Sequence, residues 1–246
     1  MAKIPLMIVF CLAMHVVQAK EQIFSGATAL EDITLEAIKV NGSFKGKNIT
    51  IKKRANISGS CTCKKSKIGT LNSSGSCKIK DSDIKELNVS GSLRAENSKV
   101  EGNCTASGAV EFENMKVYGK TTVSGACKIK SSTLQDFEYS GRKAEIKDTT
   151  LASIHVKKLS ERGIQTLELK GKTVVQGDVT FDDVDGLLEM DHEADIQGDI
   201  IKAGRIVTKD EIEKEKKNKS NDDDDDDDKK PYDFFKSVKK WFKELF

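Results

Sequence analysis

Along most of this chain apolar and polar residues alternate in short runs, and the runs return at a nearly constant interval. Cys61 and Cys63, Cys77 and Ile79, Leu93 and Ala95, Val110 and Phe112, and Cys127 and Ile129 each flank one polar residue. A period of two is that of a β-strand with one face inward and the other in water. Each run follows a glycine phrase: Val40-Asn41-Gly42, Ile57-Ser58-Gly59, Ser73-Ser74-Gly75, Val89-Ser90-Gly91, Ala106-Ser107-Gly108, Val123-Ser124-Gly125 and Tyr139-Ser140-Gly141. The interval between successive glycines is thus about 16 to 17 residues, the mark of an internal repeat. Nine places after each of the first six comes another apolar residue: Ile51, Ile68, Ile84, Val100, Val117 or Leu134. Further ones stand at Leu71, Leu87 and Phe137.

A unit of this length is too short for a helical hairpin or a propeller blade, and it cannot bury its apolar side alone. Stacked units can, with each strand bonded to its equivalents about 4.8 Å above and below. The spacing therefore predicts an all-β fold, a single-stranded parallel β-helix (β-solenoid) with turns of about 16 to 17 residues. Cys61, Cys77, Leu93, Val110 and Cys127 should then form one inward ladder. An antiparallel sandwich explains the alternation but not the constant interval. Beyond Gly141 the pattern loosens: Gln165 to Val179 reads as two strands, and Val175-Gln176-Gly177-Asp178-Val179 is echoed by Ile196-Gln197-Gly198-Asp199-Ile200. Gln22 to Val207 makes ten or eleven turns, a rod of roughly 50 Å at the strand spacing.

Turns of this length and the two Gly-Asp echoes resemble the bactofilins, polymer-forming bacterial cytoskeletal proteins, over about residues 30–205. The resemblance implies a right-handed parallel β-helix that assembles end to end, and it brings no catalytic residues.

The ends differ from the repeat. Residues 1–19 read as a signal peptide: Lys3, an apolar stretch from Pro5 to Val17, then Val17-Gln18-Ala19 before the charged Lys20. The solenoid occupies 20–208. Residues 209–230 form a charged linker holding seven aspartates, Asp222 to Asp228, whose self-repulsion favours an extended soluble spacer over a calcium site. Residues 231–246 form an amphipathic α-helix. Pro231 suits its start, and on a helical wheel Phe234, Phe235, Val238, Trp241, Phe242, Leu245 and Phe246 share one side. Lys236, Lys239, Lys240 and Lys243 gather opposite. Such a helix suits a membrane interface and is too short to span a bilayer. Capping the solenoid or filling a partner's groove are its other uses.

Composition narrows the chemistry. Charged residues make up 33% and the net charge is +2, so no uniform basic field points to nucleic acid as a partner. Five cysteines follow the signal peptide, an odd number for complete pairing. They read as small core hydrophobes, with a Cys61–Cys77 disulfide between neighbouring turns as the alternative. Cys61-Thr62-Cys63 lacks the second pair that zinc needs. His155 and His192 show no partner for triad or metal chemistry, Asp191-His192-Glu193 reads as a solvated turn, and Asp183-Val184-Asp185-Gly186 fails the calcium-loop spacing. Asn-x-Ser/Thr triplets at Asn41, Asn48, Asn56, Asn72, Asn88, Asn103 and Asn218 read chiefly as turn chemistry. No cofactor is expected. The expectation is an exported (periplasmic, envelope or extracellular) non-enzymatic rod that forms a homo-oligomer or filament and meets a membrane surface. A secreted effector that perturbs membranes is the alternative, and a β-helix polysaccharide enzyme a more distant one.

Overall fold

The computed structural model describes residues 21–159, 163–183 and 185–208. The expected signal peptide, the aspartate-bearing linker and the expected terminal helix, with the apolar and lysine positions named above, all lie outside these residues. Within them the chain winds as a parallel β-solenoid. One sheet of eleven strands takes one strand from every turn, from Thr28–Glu31 to Arg205–Thr208. A second, 16-stranded sheet takes the remaining strands, and every pairing in both sheets is parallel. Antiparallel packing is thereby excluded.

The inward ladder has the predicted members. Phe44 pairs with Cys61, Cys61 with Cys77, then Leu93, Val110, Cys127, Ala144 and Leu167 follow in register. A second ladder runs Ile51, Ile68, Ile84, Val100, Val117, Leu134 and Leu151, and a third contains Ala55, Leu71, Leu87, Cys104, Thr121, Phe137 and Ile154. All of these are buried in one continuous core, whose largest fully buried side chains include Phe112, Phe137, Tyr139 and Phe181.

The corners explain the residues that repeat. Each glycine of the phrase lies over its predecessor: a Cβ on Gly91 would stand 2.7 Å from the carbonyl of Gly75, and one on Gly108 2.7 Å from that of Gly91. The recurring Ser-Gly is thus a column in which backbone touches backbone. A second corner is left-handed. Asp32, Asn48, Lys65, Asp81, Asn97, Asn114, Ser131 and Asp148 occupy it with φ between 47° and 54°, a conformation that Asn and Asp tolerate best. Their side chains bond between turns, Asn48 donating to Asp32 at 2.6 Å and Asn114 to Asn97 at 3.0 Å. The next residue inward is Ser66, Ser82, Ser98, Ser132 or Thr149, all buried. Their hydroxyls donate to the carbonyl two residues earlier, and those of Ser82, Ser98, Ser132 and Thr149 also accept an amide from the preceding turn. Polar groups taken out of water at this corner keep their partners.

The variation in turn length by one residue arises mainly at one site, the exception being the turn from Cys127 to Ala144, which gains its residue at the glycine corner between Phe137 and Ala144. Between the second and third ladders the longer turns insert one residue, as in Ile51 to Ala55, Val100 to Cys104 and Val117 to Thr121. Ile68 to Leu71, Ile84 to Leu87 and Leu134 to Phe137 carry no insertion. Later turns lengthen further: Thr150 pairs with Val174 and Ile154 with Val179, the extra chain forming a loop beyond Val156. Gln165 to Val179 holds the two predicted strands, and a third opens at its last residue. These are Thr166–Lys170 and Val174–Val175, parted where Gly171 takes the left-handed corner (φ 54°), and the strand that begins at Val179. The predicted echo holds, with Val175 paired to Ile196 and Val179 to Ile200.

Candidate functional site

Five cysteines point into the core, and all five are free and buried. Cys61 and Cys63 face the same side of one strand with their sulfurs 3.5 Å apart. Hydrogen bonds with Cys63 and Cys77, together with burial, push the Cys61 thiol well above the ordinary range. Burial, reinforced by Cys77, pushes Cys104 up to about 12, and burial likewise raises Cys127. Thiols held protonated in this way are poor nucleophiles and poor metal ligands. Among the described residues no three His, Cys, Asp or Glu side chains are placed to hold a metal ion. The Cys61–Cys77 pair stands in register but unbonded.

Chemistry-bearing side chains lie instead on the outward positions. His155 has a partner that the sequence did not reveal: its Nε2 lies 2.7 Å from Asp182 Oδ1, and the Lys158 amide donates to the other carboxylate oxygen at 3.3 Å. The bond from His155 holds the Asp182 carboxyl below its ordinary range. The pair closes across the lengthened turn, since His155 registers with Thr180, two residues before Asp182. The separation of the two along the chain is much longer than one repeat, which hides the contact from any repeat-based reading. Asp191-His192-Glu193 is a turn, as expected, with His192 and Glu193 exposed.

Two shallow grooves flank the glycine column. One is lined by Ser60, Ser76 and Ser92 with Lys78 and Arg94, the other by Asn41, Asn56, Asn72 and Asn88 with neighbouring serines. Asn56, Asn72 and Asn88 are strand residues, not turn residues. They stack as an amide ladder in which Asn72 donates to Asn56 at 2.8 Å and Asn88 to Asn72 at 3.0 Å.

Elsewhere the surface obeys a simple rule: a lysine or arginine on one turn meets a carboxylate on the next. Lys80 reaches Glu96 at 2.9 Å, Arg94 reaches Glu111 at 3.2 Å, Lys120 reaches Glu138 at 2.7 Å and Lys130 reaches Glu113 at 3.4 Å. Glu168 is the most enclosed case. Burial alone would raise it, but Lys143 and Lys170, the latter at 2.6 Å, outweigh that and hold the carboxyl low. No family model, no curated protein and no solved structure matches the chain.

Proposed function

We propose that this chain is an exported, non-enzymatic structural protein: a right-handed β-solenoid that joins copies end to end and is tethered to a membrane by its terminal helix. The observation that carries the assembly is the state of the first and last rungs. Among the described residues each has a strand neighbour on one side only, so a row of ladder groups faces outward. Among the described residues five large apolar side chains are exposed, and three of them sit there: Ile23 on the first rung, Ile201 and Ile206 on the last. An open parallel edge with apolar residues suits continuation by another copy. The bactofilin resemblance supports the same reading, and the aromatic stripe of residues 231–246, backed by four lysines, supports the tether.

Two measurements test the parts separately. Electron microscopy of residues 20–246 is expected to show filaments that Ile23→Lys with Ile206→Lys abolishes; dispersed monomers of the unaltered chain at high concentration would refute assembly. Vesicle flotation is expected to recover the full chain and to lose it on deletion of residues 231–246. Equal recovery of both forms would refute the tether.

A further inference from the structure

The rule of charge neutralisation between turns breaks down over the longest stretch in the early turns. From Ala37 to Lys80 the chain carries ten lysines and one arginine and not a single aspartate or glutamate. From Thr173 to Ile201 it carries nine acidic residues and no lysine or arginine. The solenoid is thus basic over its early turns and acidic over its late ones, although the net charge of the chain is near zero. In the eleven-stranded sheet Lys47, Lys64 and Lys80 occupy the same outward position on three successive rungs, and Lys45 and Lys78 flank Thr62 in the column beside them. Like charges directly opposite across a ladder oppose folding. Lys47 and Lys80 find Glu31 and Glu96 at the borders of the stretch, and Lys52 and Lys53 share Glu36. Lys39, Lys45, Arg54, Lys64, Lys65, Lys67 and Lys78 make no ion pair among the described residues, although Asp83 lies opposite Lys67 in the ladder, and all seven are exposed.

We propose that these turns bind a linear acidic polysaccharide, one bearing a sulfate or carboxylate on successive sugar units. Three features select this class of polyanion. The cations repeat at the rung spacing of about 4.8 Å, which offers a periodic row to a periodic chain. They also turn the corner: Lys65 stands at the left-handed bend, Lys67 and Lys52 lie beyond it beside Gly69 in a shallow groove whose later rungs bring Asp83 and Glu101 and end the belt there, and Lys39 lies on a further strand. A flexible chain can follow such a belt, whereas a flat bilayer meets one face. Finally, the stretch has one aromatic residue, Phe44, and it is buried, so the stacking on which single-stranded nucleic acids depend has no platform. The acidic late turns repel the same ligand and confine it to the basic end.

The test uses the chain from residue 20 to 246 and fluorescent dextran sulfate as probe, titrated over a range of salt. Lys45→Gln, Lys64→Gln and Lys78→Gln together are expected to weaken binding about tenfold at physiological salt. They should lower the slope of log affinity against log salt by about two, as for three lost charge contacts on a flexible polyanion. A control with the same charge loss on other turns, Lys116→Gln, Lys147→Gln and Lys172→Gln, is expected to change affinity less than twofold. Polygalacturonate should compete and neutral dextran should not. All six positions are exposed, and matching melting temperatures of the two variants tie any difference to charge placement. Equal weakening by both variants would overturn the proposal, as would tighter binding of a thymidine oligonucleotide or of anionic vesicles than of either polysaccharide.

Discussion

Thr121 is the one hydroxyl in its column, between Cys104 and Phe137, and it is fully buried without a hydrogen-bond partner among the described residues. A polar atom taken out of water unpaired costs about 1–3 kcal/mol. Thr121→Val keeps the shape and removes the hydroxyl, so urea unfolding should show a gain of about 1 kcal/mol. The glycine column predicts the opposite sign. At Gly91 a methyl group would meet backbone of Gly75 that cannot move aside without shifting a whole turn. Gly91→Ala should therefore cost about 2 kcal/mol or more in the same assay. Cys104 supplies a pH dependence. Its thiol ionises near 9 when unfolded and about 12 in the core, so folding is favoured by the protonated form. That contribution is complete below pH 9 and disappears as pH rises toward 12. A shift of this size corresponds to about 4 kcal/mol. Thermal unfolding between pH 8 and 11 should show a falling melting temperature, and Cys104→Ala should flatten the fall.

At the scale of the turn, stability is a sum over rungs and their interfaces. A rung such as that of Cys77, Ile79, Ile84, Leu87 and Val89 contributes five inward ladder positions and two corner devices, the stacked glycine and the left-handed corner residue followed by its buried hydroxyl. Deleting Ser76–Gly91 removes one complete turn and joins Gly75 to Ser92, preserving the inward and outward sense of every remaining strand. This protein is expected to fold cooperatively, with a strand signal in circular dichroism and a modestly lower melting temperature. Deleting only Ser76–Asp83 joins Gly75 to Ile84, which puts Lys85 at the inward place of Cys77 and loses a glycine corner's spacing. Loss of the cooperative transition is the expected result. Turns that differ in length stack without a break because the extra residue between the second and third ladders is taken up locally, as a bulge within Thr50–Ile57 and in the gap between two short strands in the turns of Val100 and Val117. The much longer excursion after Val156 is accommodated at a corner, before the chain rejoins the eleven-stranded sheet at Thr166.

For the solenoid as a whole, two properties exceed what any single turn contains. One is uninterrupted stacking, which gives central rungs neighbours on both sides and the outermost described rungs one. Amide exchange should accordingly be slowest in Cys77–Lys80 through Cys127–Lys130 and faster toward Glu21–Ser25 and Arg205–Thr208. The other is the separation of charge along the stack, basic from Ala37 to Lys80 and acidic from Thr173 to Ile201. Totals conceal it, because +2 is the sum of opposed regions.

The recurring glycines and the two-residue alternation were enough to establish a parallel stack, its turn length and the membership of its inward ladders. Burial has a period of two and every turn must repeat its neighbour, so local pattern and tertiary position carry the same information there. The free state of the cysteines, the His155–Asp182 contact and the division of Gln165 to Val179 at Gly171 depended on the folded chain. Each rests on which residue of one turn lies above which residue of another, or on where a left-handed corner falls. Those relations change when a loop lengthens, and nothing in a local pattern measures the length of a loop that has no pattern.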